Sequence, residues 1–235
     1  MVTGHPQGAH VGLESLYRGT AFHEYRNAHH GDTVWVIGSG ATLAHIAPSF
    51  FDGKTCVAVN YAGHTAGLRQ FYTVTNHHDD AQAVATAHPQ LPVITSTVEQ
   101  VPDKDTSRTP LTAPNIITVP TVAQSYVNYT TALHWPDEPD LFTIGPTSVH
   151  LALHWAAYLG AGHIVLVGVD CGDIDGTARI AGYPNNPDGT VGHLHFGLWE
   201  RTLRDIAGRL RRDGIGVHSL NPFVTLAREG HTFRQ

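Results

Sequence analysis

Short apolar runs alternate with polar, glycine-bearing turns along most of this chain. Thr33–Ile37, Thr55–Asn60, Phe71–Thr75 and Pro92–Ser96 are each five or six residues long and rich in β-branched and aromatic side chains. Runs of that length and composition read as strands. Leu43, Ile46 and Ala47 have helical spacing and predict a helix near Leu43–Phe50. Ala81–Ala87 reads as a second helix. Strands alternating with short helices predict a parallel sheet with right-handed crossovers.

The pattern lapses over Glu99–Asp140, which is rich in Pro, Thr and Asp, with Ile116–Val119 as its one strand-like run. It resumes at Leu141. Thr147 or Ser148 stands where a helix N-cap belongs, the helix runs to Leu159, and Gly160 and Gly162 break it. Ile164–Val169 is the next strand, with Asp170 at its C-terminal end. Cys171–Gly192 is a second irregular stretch. Phe196–Arg212 is an amphipathic helix carrying Leu198, Leu203, Ile206 and Leu210 near one face, ended by Gly214. Ile215–Leu220 is a final strand, and Asn221-Pro222 begins the tail.

These elements predict one Rossmann-like, doubly wound α/β domain with a mostly parallel sheet over residues 31–235. Irregular insertions or a lid fall near 99–140 and 171–192. Residues 1–30 form a lead-in with a short helix around Leu13–Asn27.

In a parallel sheet the carboxyl ends of the strands share one edge, where ligands bind. That edge collects the Gly38-Ser-Gly-Ala-Thr42 turn, Asn60, Asn76 to Asp79, Asp170 to Asp175 and Asn221. Gly38, Ser39, Gly40 and Thr42 follow a strand and precede a helical pattern, an arrangement suited to holding an anion on backbone N–H groups. The spacing is neither a full G-x-G-x-x-G nor a P-loop, and a plain βα turn is the competing reading. Thr147 and Ser148 add hydroxyls and a helix start. Asn60 is either a ligand contact or a partner for neighbouring backbone, and Asp170 either a site carboxylate or one that orders its loop. His193 and His195 precede the Phe196 helix, where a histidine can serve as general base near neutral pH.

Composition trims the options. The chain has 235 residues, a formal net charge of −6 and only 14% charged residues, which argues against a dominant nucleic-acid surface. Arg201, Arg204, Arg209, Arg211 and Arg212 spread around one helix and read as a solvated face. Two distant cysteines, Cys56 and Cys171, are expected reduced and mostly buried, and a cytoplasmic location is expected. The sequence offers no apolar stretch of membrane-spanning length and no signal-peptide core near its start. Its 18 histidines invite a metal reading, yet no H-E-x-x-H or cysteine–histidine spacing occurs. Scattered surface histidines are expected for most of them, and no metal site is predicted. Asp173 and Asp175 have carboxylate spacing but remain ambiguous.

The blocks VWVIGSGATL, CVAVNYA, GPTSVHLALHWAAYLGAGHIVLVGVD and GHLHFGLWERTLRDIAGRLRRDGIGVHSLNPF stand in an order that resembles two related groups. One is the single-domain bacterial sialyltransferases. The other is the MptE-like family (domain of unknown function 115), which includes an archaeal 6-hydroxymethylpterin diphosphokinase. The resemblance spans residues 31–226, apart from the middle loop region. In the sialyltransferases the first turn reads more like Gly-Asn-Gly-Pro-Ser and contacts the nucleotide phosphate region. The resemblance implies a nucleotide-binding role for Asn60 and for Thr147-Ser148, with Val149 where the family has Gly. It implies a catalytic histidine at His193 or His195, and Tyr183 in place of tyrosines that hold the leaving phosphate. It leaves a homo-oligomer open.

The leading expectation is a glycosyltransferase that takes a nucleotide-sugar donor and a small hydroxyl acceptor, without metal. A nucleic-acid acceptor is not indicated by charge but is not excluded. The second is a pterin-type diphosphokinase using ATP and Mg²⁺ held by Asp170, Asp173 and Asp175. The third is a non-catalytic nucleotide-binding module.

Overall fold

In a computed structural model of the protein, residues 22–97, 110–122, 135–184, 196–220 and 223–234 are described. Strands β1 (Thr33–Ile37), β2 (Thr55–Val59), β3 (Tyr72–Thr75), β4 (Val93–Ser96) and β5 (Ile116–Val119) come first. β6 (Thr121–Val122) and β7 (Phe142–Thr143) form a short parallel pair. β8 (His163–Val167), β9 (Asp173–Ile174), β10 (Gly216–Ser219) and β11 (Phe233–Arg234) follow, with β9 and β11 antiparallel to each other. The helices are α1 (Ala62–Thr65), α2 (His78–Ala87), α3 (Ser148–Tyr158), α4 (Phe196–Arg212) and α5 (Phe223–Arg228). Seven strands make one parallel sheet in the order β10-β8-β1-β2-β3-β4-β5. This is the Rossmann-like α/β architecture expected.

The strands are apolar on both sides because both faces of the sheet are covered. Successive residues of β1 divide between them. Val34 and Val36 join the core beneath α3 and α4, while Trp35 and Ile37 face the opposite cluster with Leu43, Phe51 and Phe71. β2 repeats the division, with Val57 and Val59 on the first face and Cys56 and Ala58 on the second. Each fully buried aliphatic side chain contributes about 1.5–3 kcal/mol relative to exposure. α3 lies across the middle of the sheet. Its Trp155, with no exposed surface, packs its ring against Tyr25, Tyr72, Phe142 and Tyr158.

Three expectations need correction. The helix near Leu43–Phe50 is two short 3₁₀ turns, Ala41–His45 and Pro48–Phe51. Pro48 has no N–H to continue a helix through this stretch. The strand expected over Ile164–Val169 is His163–Val167, because Gly168 turns away with φ 61°. Cys171 is half-buried, although Cys56 is buried as expected. Of the lead-in helix, the described part is a 3₁₀ turn at Phe22–Tyr25. Among the described residues no helix is long and apolar enough to cross a membrane.

Candidate functional site

From β1 the chain proceeds outward through β2 to β5, then returns to the other side of β1 to lay down β8 and β10. The strand order reverses between β1 and β8, the place where open α/β sheets bind ligands. A cavity of about 220 Å³ lies there. Its walls come from the carboxyl ends of β1, β2 and β8, the start of α3, one face of α4 and the 178–179 segment.

The predicted residues divide into two groups. Gly38, Ser39, Gly40, Asn60, Thr147, Ser148 and Asp170 line the cavity. Thr42, Asn76 and Tyr183 are not among its lining residues. Thr42 is fully buried, its N–H donating to Asp170 Oδ2 at 2.8 Å and its hydroxyl to Asp170 Oδ1. Asn76 is fully buried, and its N–H donates to Ser148 Oγ at 3.2 Å. Tyr183 is buried behind the wall and hydrogen-bonds the side chains of Asn60 and Ser39. Its phenol is pushed up, chiefly by burial, with Arg179 pulling the other way. His193, His195 and Asn221 lie outside the described residues.

Asp170 orders its loop. Both of its oxygens hold Thr42, tying the first 3₁₀ turn to the end of β8. Burial pushes its carboxyl up, against the hydrogen bonds from Thr42. The glycines serve the same junction. The Gly38 N–H donates to the Val167 carbonyl at 2.8 Å and the Gly40 N–H to the Gly168 carbonyl at 2.7 Å. A Cβ on Gly40 would lie 2.7 Å from the Gly168 oxygen. These glycines let two strand ends approach each other, and their N–H groups are spent on backbone.

The start of α3 is built with similar density. Thr147 caps the helix, and His150 fills the position that Glu or Gln takes in a capping box. A Cβ at residue 145 would collide with the His150 ring, which accounts for Gly145. His150 Nε2 lies 2.9 Å from the Thr202 hydroxyl, linking the start of α3 to α4. Burial lowers the His150 pKa to about 4, so the ring is neutral.

No protein-family model matches the chain, and no curated protein matches it. Site geometry and sequence pattern are what bear on function.

Asn60 is the most distinctive wall residue. It has φ 51°, in the left-handed region that asparagine tolerates better than most residues. Its Oδ1 is buried and has no hydrogen-bond partner among the described residues. A left-handed backbone and an orphan acceptor together make Asn60 a candidate functional position. Asn60→Gly keeps the left-handed backbone and removes both the acceptor and the bond to Tyr183. Its unfolding midpoint in denaturant should correspond to wild type within about 1 kcal/mol. Ligand affinity should fall about tenfold, the worth of one hydrogen bond. Unchanged affinity by titration would remove Asn60 from the site.

Two wall residues carry chemistry that sequence reasoning did not assign: Trp199 lies on α4, and Arg179 lies on the segment after β9. His77, exposed at the end of β3, belongs to the Asn76–Asp79 stretch that the sequence placed on this edge. One signal for Arg179 was available, since it is the only Lys or Arg between Arg108 and Arg201. Nearby, Asp80 accepts a hydrogen bond from Tyr61, and burial pushes its carboxyl up.

Proposed function

We propose that the chain is a nucleotide-dependent transferase, and that the reaction is glycosyl transfer from a nucleotide-sugar to a hydroxyl acceptor. The observation that carries this reading is the cavity at the strand-order reversal. Asn60 with its unpaired acceptor, the Thr147 helix start and the indole of Trp199 all meet there. A nucleotide needs those groups: donors for phosphate, amides for sugar and base, and an aromatic face for stacking. The resemblance to single-domain sialyltransferases adds support through Asn60 and Thr147-Ser148.

In the proposed reaction a histidine removes the acceptor proton and the acceptor oxygen bonds the anomeric carbon. The bond from that carbon to the donor phosphate breaks, and the nucleotide leaves with the electron pair. His193 and His195 are the proposed bases. The chain joins His195 directly to Phe196, which lines the cavity.

The diphosphokinase reading ranks second for a specific reason. Each carboxylate it assigns to Mg²⁺ already accepts at least one hydrogen bond within the protein. Asp170 holds Thr42, Asp173 Oδ1 accepts the Gly176 N–H at 2.9 Å, and Asp175 binds His231 and the Thr232 N–H. Among the described residues no group of three His, Cys, Asp or Glu side chains is placed to hold a metal ion.

The reading is tested by nucleotide release from CMP-, UDP- and GDP-sugars, with wild type and with His193→Ala and His195→Ala. One of the two variants should lose about 10²–10⁴-fold in rate, as expected for a general base. Wild-type rates in both would reject the assignment. Turnover of ATP with Mg²⁺ and of no sugar donor would favour the diphosphokinase.

A further inference from the structure

The glycine turn is poorly furnished as an anion cradle, because three of its five N–H groups are spent within the protein. It is followed by a five-residue 3₁₀ turn rather than an α-helix. The N–H groups of Gly38, Gly40 and Thr42 are all donated within the protein. Its backbone instead fixes another segment. The Ile180 N–H donates to the Ser39 carbonyl at 2.8 Å, and Gly40 and Arg179 form an antiparallel bridge. This zipper holds Arg179 in the cavity wall directly beside the turn.

Further contacts set the Arg179 side chain. Its guanidinium lies over the Tyr183 ring, 4.8 Å from the centroid. Tyr183 is in turn held by Ser39 and Asn60 and stands edge-on to Tyr61 at 6.1 Å. Among the described residues no carboxylate forms an ion pair with Arg179. Asp80 acts on it only from longer range, and burial favours the neutral form of that acid. The acid in the wall, Asp170, has both oxygens on Thr42 and is likewise pushed toward its neutral form by burial. A half-buried guanidinium without an ion-pair partner, stacked on an aromatic ring at a cavity wall, suits a planar or tetrahedral oxyanion.

We propose that Arg179 is the anion subsite of this cavity and takes the phosphate of a phosphate ester. The glycine turn positions that cation instead of cradling the phosphate itself. Trp199, on the α4 wall, would then receive the ligand's other end. The assignment of the ester to a nucleotide rests on the transferase reading above, but the anion subsite does not.

The test is isothermal titration of wild type, Arg179→Gln and Arg179→Lys with inorganic pyrophosphate, CMP, UDP and cytidine at two salt concentrations. Unfolding midpoints of the variants check that the fold is kept. Arg179→Gln should weaken pyrophosphate and the nucleotides by about 10–100-fold, the worth of a charge-assisted bond, and leave cytidine unchanged. Arg179→Lys should recover only part of the loss, since it keeps the charge and loses the fork. Nucleotides that bind Arg179→Gln as tightly as wild type would overturn the subsite and keep the nucleotide reading. Pyrophosphate that binds through Arg179 while no nucleotide does would keep the subsite and overturn the nucleotide reading. Wild-type protein that binds none of these ligands would overturn both.

Discussion

Replacing Gly38 by alanine is expected to lower the unfolding midpoint by roughly 6–20 °C and to abolish stabilisation by ligand. The new Cβ would sit inside contact distance of the Gly168 carbonyl oxygen and 2.9 Å from a Val169 methyl carbon. A backbone oxygen cannot swing aside as a side chain can. The ends of β1 and β8 would have to part, and the bonds from Gly38 to Val167 and from Gly40 to Gly168 would stretch with them. Overpacking of this kind costs about 1–3 kcal/mol, and each lost backbone bond adds about 1 kcal/mol. The Arg179 segment hangs from the same turn, so binding should fail beyond what stability explains. Gly197→Ala is the matched control. That glycine lies in α4, a Cβ added to it would have no heavy atom within 4 Å, and alanine favours helix by about 1 kcal/mol. A Gly38→Ala protein as stable as wild type would contradict the account of the β1–β8 junction.

Acid should unfold the protein early, and two buried histidines are the reason. Burial lowers His150 to about 4 and His154 to about 3. The His154 ring stacks on Trp135 at 4.0 Å, and its Nδ1 accepts the Thr143 N–H at 2.9 Å, which only an unprotonated nitrogen can do. Both folded pKa values lie below that of an unfolded histidine, near 6.5. Between pH 6.5 and 4 the unfolded chain takes up protons that the folded one refuses, so stability falls as pH falls through that window. By pH 4.5 the two sites together remove roughly 5 kcal/mol, a large share of an ordinary domain's stability. Asp80 and Asp170 act in the opposite sense. Burial raises their pKa values, so the folded state protonates first and recovers part of the loss at the acid end. Urea denaturation from pH 8 to 4.5 should show the decline, and His154→Gln, which keeps an acceptor that cannot charge, should flatten it. A wild-type profile flat across this range would contradict the assignment of both rings as buried and neutral.

Much of the architecture was legible because a sheet covered on both faces writes itself as continuous apolar runs. β1, β2, β3, β4 and β8 all stood out in that way. The position of the cavity followed from the same runs, since strand ends and the Thr147 helix start can be read in one dimension. The roles within it could not be. Whether Gly38 and Gly40 serve a ligand or a neighbouring strand depends on β8 lying beside β1, and those segments are far apart in sequence. Thr42 read as part of an anion-holding turn for the same reason, because nothing local shows that Asp170 claims it. His150 and His154 were unremarkable among 18 histidines until α3 proved to be buried nearly all round. Arg179 sat in an irregular stretch without periodicity, where only its isolation from other cations marked it.

The proposed nucleotide site is the cavity between β1 and β8. A thermal-shift panel of CMP, UDP, GDP and ATP, each with and without Mg²⁺, tests it most directly. A nucleoside mono- or diphosphate at about 100 times its Kd should add about 2.7 kcal/mol and raise the midpoint by roughly 5–10 °C without metal. Stabilisation by Mg-ATP alone, or by no nucleotide, would contradict it.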